Sequence, residues 1–465
     1  MRRILLSILS LTTLITYAQN FEIGHTTITF NDPNRTGGFG SGGGSGRQIQ
    51  TEIYYPADIA GTDVAVANGS YPIIVFGHGF VMGWDAYENI WTELVPRGFI
   101  LAFPRTEGGF SPSHSDYGLD LAQVETKMQD ENSSSASLFY NHVTPYSAIM
   151  GHSMGGGSTF LAGANNTSIQ TVIGLAPAET NPSAIAAATN VSVPALIFSA
   201  DEDAVTPPAD HHIPIYNGLS SSCKYFINIQ GGGHCYYANS NFNCDFGETA
   251  SSGNISITRQ EQQDILFRYL IPWLNLYLKK DCAQNLVFTN DLANDADVTH
   301  QVTCSTTFPS IDINVSVSGA TLTADQSGAN YQWIDCNNSN VAIQGATSQS
   351  FQANQNGSYG VVLEVGMCMD TSICYSITTL GLEEQIGGKP EIRVYPNPSN
   401  GEMKLDVKKN GKLQIISSAG QLVFETELQP GSRDLKLDLE SGIYYMHYQT
   451  TTNHLVEQIF ISRKR

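Results

Sequence analysis

The residues best suited to chemistry form the run Gly151-His152-Ser153-Met154-Gly155, with an apolar stretch at 147–150 before it and a helical stretch at 156–164 after it. Gly-x-Ser-x-Gly between a strand and a helix is the setting of a nucleophilic serine on a sharp, strained turn. Large side chains two residues before or after such a serine would strike neighbouring backbone, and Gly151 and Gly155 remove that obstacle. The following helix directs its first N–H groups toward the reacting centre. A phosphate loop does not fit, because neither 151–157 nor the glycine run 42–46 ends in Gly-Lys-Ser/Thr.

A serine hydroxyl needs a base at neutral pH, and the base needs an orienting carboxylate. In strand–turn–helix nucleophile folds the chain order is Ser, acid, His. The strand expected at 195–199 leads into Asp201, Glu202 and Asp203. Asp203 is favoured because it opens Asp203-Ala204-Val205-Thr206-Pro207, the usual form of this loop, and Asp201 is second. The rival reading of the cluster is a solvated acidic turn or a weak calcium site. Three histidines follow the acid. His211 and His212 fall at a predicted helix start, whereas His234 hangs on the Gly231-Gly232-Gly233 turn after the strand at 225–229 and is the preferred base. Two donors must bind the oxyanion of an acyl-transfer site. The N–H of Met154 is one, and the N–H of Phe80, after Gly77-His78-Gly79, is the other.

These groups need a scaffold that sets them at strand ends. Short apolar runs at 73–76, 99–103, 147–150, 171–175, 195–199 and 225–229 read as buried strands of a mostly parallel sheet. Helical stretches at 119–131 and 156–164 lie between them, and a long amphipathic candidate at 260–278 closes the block. The alternation predicts an α/β fold over residues 21–285, a mostly parallel sheet flanked by helices, and the Gly-x-Ser-x-Gly turn between strand and helix makes the α/β-hydrolase fold the expected form of it. Residues 286–380 change to short alternating segments with turn signals such as Asn356-Gly357, the pattern of an all-β, Ig-like sandwich with Trp333 in its core. Residues 381–390 read as a linker, and 391–465 as a second small all-β sandwich.

The 465 residues carry 23 basic and 43 acidic side chains, a net charge of −20, which excludes nucleic-acid or anionic-lipid binding as the main task. Residues 1–18 pair Arg2 and Arg3 with an apolar run too short to span a bilayer, which predicts a secretory signal peptide cleaved near Ala18. No later stretch is long and apolar enough to span. An exported chain is expected to pair its eight cysteines, Cys336 with Cys368 or Cys374, and the absence of CxxC or HxxxH spacing argues against zinc.

Two resemblances extend this reading. The runs 196–207, 213–216 and 225–234, with Gly151-His152-Ser153-Met154-Gly155-Gly156-Gly157, resemble bacterial cutinase-like polyester hydrolases that cleave poly(ethylene terephthalate). The similarity covers most of residues 45–285. It implies Ser153, Asp203 and His234 as the triad, and Phe80 and Met154 as oxyanion and substrate-contacting residues. Phe80 stands where the family carries Tyr, Asn181 where several members carry a stacking Trp, and Ala200 where one branch has a disulfide cysteine, which leaves Cys235 to pair with Cys244. Asn181 and His152 complete the candidate substrate wall. At the other end, Val394-Tyr395-Pro396-Asn397-Pro398-Ser399-Asn400-Gly401, Ser417-Ser418-Ala419-Gly420-Gln421 and the basic end Ser462-Arg463-Lys464-Arg465 resemble the sorting domain of the type IX secretion system. This implies a Bacteroidota-type protein handled by that machinery.

The combined expectation is a secreted, monomeric serine ester hydrolase acting on polyester through an acyl-enzyme, with no cofactor or metal. A carboxylesterase or lipase for small or lipid esters is the alternative enzyme. A surface-binding protein with a dead hydrolase fold is the alternative from another class.

Overall fold

The computed structural model describes residues 20–251, 253–338, 340–378, 391–418, 420–451 and 454–462. The expected signal peptide and the linker at 381–390 lie outside the described residues. The chain divides into two compact units, one reaching Thr378 and one beyond it.

The first unit is built on an eleven-stranded sheet. Its strands are β1 (Glu22–Asp32), β2 (Gly38–Phe39), β3 (Arg47–Ala57), β4 (Gly61–Thr62), β5 (Tyr71–Gly77), β6 (Ile100–Pro104), β7 (Val143–His152), β8 (Thr171–Leu175), β9 (Ala195–Ala200), β10 (Cys223–Ile229) and β11 (Val298–Cys304). They lie in the order β11-β10-β9-β8-β7-β5-β6-β3-β1-β4, with β2 against β3. The pairs from β6 through β5, β7, β8 and β9 to β10 are parallel. The edges are antiparallel, β3 on β6 and β11 on β10. The central strands are continuous apolar runs because both their faces are covered.

The helices are α1 (Glu88–Leu94), α2 (His114–Ser133), α3 (Met154–Gly163), α4 (Ala184–Ala188), α5 (His212–Gly218), α6 (Phe242–Ser251), α7 (Arg259–Leu278) and α8 (Ala283–Asn294). Strand residues alternate between two cores. Ile74 and Phe76 pack with Trp91 of α1, Trp273 of α7 and Phe288 of α8, while Ile73 and Val75 pack with Leu121 of α2, Phe160 of α3 and Ile215 of α5. The fold is that of an α/β hydrolase. A capping box, Thr258 with Glu261, starts α7.

The expected boundary at 285/286 is corrected by α8 and β11. The sheet runs on to Cys304, where β11 pairs with β10 in a register that sets Cys223 opposite Cys304, and a disulfide joins them. Only Val298 of β11 is fully buried, so this edge strand lacked the apolar run that marks a buried one.

Two further sheets follow in the same unit. One contains Val315–Ser318, Thr321–Ala324 and Ser350–Gln352. The other centres on Asn330–Asp335 and Gly357–Val365. Trp333 is fully buried and stacks on Phe351, 5.5 Å between ring centroids. Cys336 pairs with Cys374. Cys368 pairs with Cys282, and Lys280 bonds Glu364 at 2.5 Å, so the β module is fastened to the end of α7. The second unit consists of a three-stranded and a four-stranded antiparallel sheet around a core that includes Leu405, Ile415 and Met446.

Candidate active site

Parallel strands put their carboxyl ends on one edge of a sheet, and open α/β sheets bind ligands along that edge. Four loops leave there: the loop after β5 with Phe80, the turn after β7 with Ser153, the loop after β9 with Asp203, and the turn after β10 with His234.

Ser153 is the residue between β7 and α3, and its backbone is left-handed (φ 56°, ψ −120°). Its N–H donates to Leu175 O at 2.9 Å, and its carbonyl accepts from Gly157 and Ala178 at 2.9 Å each. These bonds hold a conformation that L-residues rarely adopt. The flanking glycines are obligatory for the reason expected. A Cβ on Gly155 would lie 2.1 Å from Gly77 O, and one on Gly151 would lie 2.4 Å from Gly155 O.

Asp203 and His234 are both buried. Asp203 Oδ2 accepts from His234 Nδ1 at 2.7 Å. Its other oxygen accepts from the N–H groups of Val205 (3.0 Å) and Thr206 (2.7 Å). Burial alone would raise the Asp203 carboxyl, but the charge and hydrogen bond of His234 and the Thr206 N–H outweigh it and hold the group at about 2. With Nδ1 engaged, Nε2 is the ring atom left for a serine hydroxyl. The Ser153 hydroxyl and the His234 ring are not hydrogen-bonded to each other in this structure. Catalytic hydrogen bonds of this kind are often long without substrate and tighten when it binds.

The remaining candidates sort by geometry. Asp201 accepts from Gly231 N–H at 2.6 Å and so braces the histidine turn. His211 Nδ1 accepts from Glu179 N–H at 2.9 Å. His152 is corrected as a substrate wall. Its ring is fully buried, 2.9 Å from Tyr87 Oη on one side and 3.0 Å from the His234 carbonyl on the other. Tyr87 Oη also accepts from Gly79 N–H at 2.8 Å, so this buried chain ties the Phe80 loop to the histidine turn. Asn181 is exposed, one residue past the cleft-lining Thr180, and its N–H is held by His114 Nδ1 at 3.0 Å.

Two residues around Asp203 were given no role from the sequence: Thr206, and His212, which was weighed as a base and set aside. Thr206 Oγ1 lies 2.9 Å from Asp203 Oδ2, 2.9 Å from His234 Nδ1 and 3.0 Å from His212 Nε2. His212 Nδ1 in turn lies 2.8 Å from Ser199 Oγ. Burial is the main reason that His212 is pushed down to about 3 and stays neutral. His212 was visible as a histidine beyond the acid, but only the fold turns it beneath Asp203.

A cleft of about 450 Å³ opens over Ser153, lined also by Phe80, Met154, His114, Ala178 and Thr180. Phe80 is 46% exposed in it. Among the described residues the N–H groups of Phe80 and Met154 donate to no acceptor. Cys235, Asp245 and Glu248 come close enough for a cation, but each is engaged: Cys235 in a disulfide with Cys244, Asp245 with Arg259, and Glu248 with Cys235 N–H.

Residues 20–291 match the family model described as PET hydrolase-like. The chain belongs to the PET hydrolase-like family. Within it, the chain is 25% identical over 217 residues to a cutinase, est1, of Thermobifida alba, covering 45% of this chain and 64% of that protein. It is 27% identical over 243 residues to a bis(hydroxyethyl) terephthalate hydrolase of Streptomyces coelicolor, covering 52% of this chain and 64% of that one. Against cutinase 1 of Thermobifida cellulosilytica the identity rises to 39%, over 88 residues, 19% of this chain and 32% of that one. The match thus spans just under two thirds of the length of the first two relatives. Residues 393–462 match a secretion system C-terminal sorting domain. This PET hydrolase-like chain is therefore one for export, to the outside or the surface of the cell. No helix among the described residues is long and apolar enough to cross a membrane.

Proposed function

We propose that the chain is a serine ester hydrolase that cleaves polyester bonds, of the poly(ethylene terephthalate) type, through an acyl-enzyme. The observation that carries the reading is the 2.7 Å pairing of His234 Nδ1 with Asp203, set on the same sheet edge as a strained Ser153 at the floor of the cleft. The cutinase and terephthalate-ester hydrolase relatives support the substrate class.

In this reading Ser153 Oγ attacks the ester carbonyl carbon while His234 Nε2 takes its proton. Asp203 stabilises the imidazolium through Nδ1–H. The oxyanion accepts from the N–H groups of Met154 and Phe80. The imidazolium returns its proton to the leaving alcohol as the carbon–oxygen bond breaks. Water then attacks the acyl-serine with His234 again as base, releasing the acid and restoring Ser153.

A fluorophosphonate probe should label the wild type and leave Ser153→Ala unlabelled. Wild-type enzyme on poly(ethylene terephthalate) film should release soluble aromatic acid and its hydroxyethyl esters. A second reading, turnover of small soluble esters only, is favoured by the exposed Asn181, which offers no ring for stacking. Turnover of short esters with no product from film would select it. Absence of labelling would leave a binding protein.

A further inference from the structure

The two most exposed rings on α6, Phe242 (83% exposed) and Phe246 (67%), lie one helical turn apart and face solvent together. Their centroids are 6.3 Å apart and their planes 21° from parallel. The opposite face of α6 carries the buried Glu248, so the phenylalanines are not a core face left uncovered.

α6 is fastened to the loops of the site. Cys244 is bonded to Cys235, the residue after His234. Asn243 Nδ2 donates to the carbonyl of Val81, the residue after Phe80, at 2.8 Å. Asp245 pairs with Arg259 at 2.7 Å, and Glu248 accepts from Cys235 N–H at 3.0 Å. The helix is thus tied to both the loop after β10 and the loop after β5, and it presents its two exposed rings beside them.

We propose that Phe242 and Phe246 form an accessory binding site for the part of an aromatic polyester chain that extends out of the cleft. The proposal rests on the polyester reading above. A cleft of about 450 Å³ holds a molecule of ordinary ligand size, so a polymer must leave it across the rim. Its aromatic rings would stack on the phenylalanines at the usual 4.5–7 Å. The neighbouring charge of Asp245 is matched by Arg259, and the chain as a whole is strongly acidic. Both favour a neutral polymer over an anionic lipid surface.

The test uses the full mature chain and the double variant Phe242→Ser/Phe246→Ser, each also with Ser153→Ala so that adsorption is read without hydrolysis. Adsorption to poly(ethylene terephthalate) particles should weaken by at least about fivefold, the factor that two ordinary ring stacks supply. Product release from the film by the active double variant should fall in step. kcat/KM on p-nitrophenyl butyrate should stay within about twofold, since that small ester fits the cleft alone. Phe242→Tyr/Phe246→Tyr should bind as wild type. Unchanged adsorption, or an equal loss on the short ester, overturns the proposal. So does a wild type that sediments as a dimer while the double variant sediments as a monomer, because the rings would then cover a second copy. A wild type that adsorbs through these rings yet releases nothing from film would leave the site standing and remove the polyester reading instead.

Discussion

Asp203 Oδ2 and His234 Nδ1 lie 2.7 Å apart, both side chains buried, on loops that leave adjacent parallel strands. The pairing fixes which ring nitrogen of the imidazole meets the carboxylate. Asp203→Asn keeps the shape but presents an amide, which favours the wrong tautomer. Ester turnover should fall by about 10³- to 10⁴-fold with a small change in KM. Steady-state kinetics on a short ester read this. A loss of less than about tenfold would assign the carboxylate role elsewhere.

Thr206 supplies Asp203 with both a backbone N–H and a hydroxyl. Thr206→Val removes only the hydroxyl, a hydrogen bond to a charged group, and should lower kcat by about 10- to 100-fold. The acid limb of the pH–rate profile should move as well, because the hydroxyl touches both the carboxylate and the imidazole paired with it. Thr206→Ser should restore both. A fall in kcat without movement of the profile would make the hydroxyl merely structural.

Burial is the first cause that keeps two histidines near the site neutral. His212 is pushed down to about 3, and His152 is held well below the ordinary range, with the charge of His234 adding to burial there. Unfolding frees both to take up a proton below pH 6.5. The unfolded state then binds more protons than the folded one, so stability falls as pH falls from about 6.5 toward 4, by about 1.4 kcal/mol per pH unit for each proton. Urea melts across this range should show the slope. His212→Asn should flatten it by one proton, whatever its effect on stability at neutral pH.

Gly155 sits where a Cβ would meet Gly77 O at 2.1 Å. Neither backbone can retreat, since Gly77 ends β5 and leads into the Phe80 loop. Gly155→Ala should cost about 3 kcal/mol or more and reduce turnover of the surviving folded protein. Thermal melts and active-site titration separate the two effects. An unchanged melt would show that the turn has room.

Much of this architecture is legible in the sequence where burial is two-sided. The apolar runs at 73–76, 147–150 and 195–199 all lie in central parallel strands. β1 and β3 carried no such signal, because threonines, glutamines and glutamates interrupt their apolar residues. Ser153 and its glycines were readable because the turn carries its own motif, although only the Gly151 collision, with Gly155 O, is local in sequence and that of Gly155 is with Gly77 O on a neighbouring strand. His152 was misread for the opposite reason. Its neighbour in the chain faces the cleft, but the turn sends its own ring under the loops, where Tyr87, 65 positions earlier, meets it. The roles proposed for Thr206 and His212 likewise depend on packing that no spacing rule contains.

The bond between Cys282 and Cys368 spans the natural place to shorten this protein. A chain stopped after Cys304 retains the whole eleven-stranded sheet but leaves one sulfur of that pair without its partner. Recombinant versions trimmed there would dimerise or scramble under air, and replacing Cys282 with serine is the simple safeguard. A protease nick at 305–314 in the intact molecule would go unnoticed until reductant released the fragment.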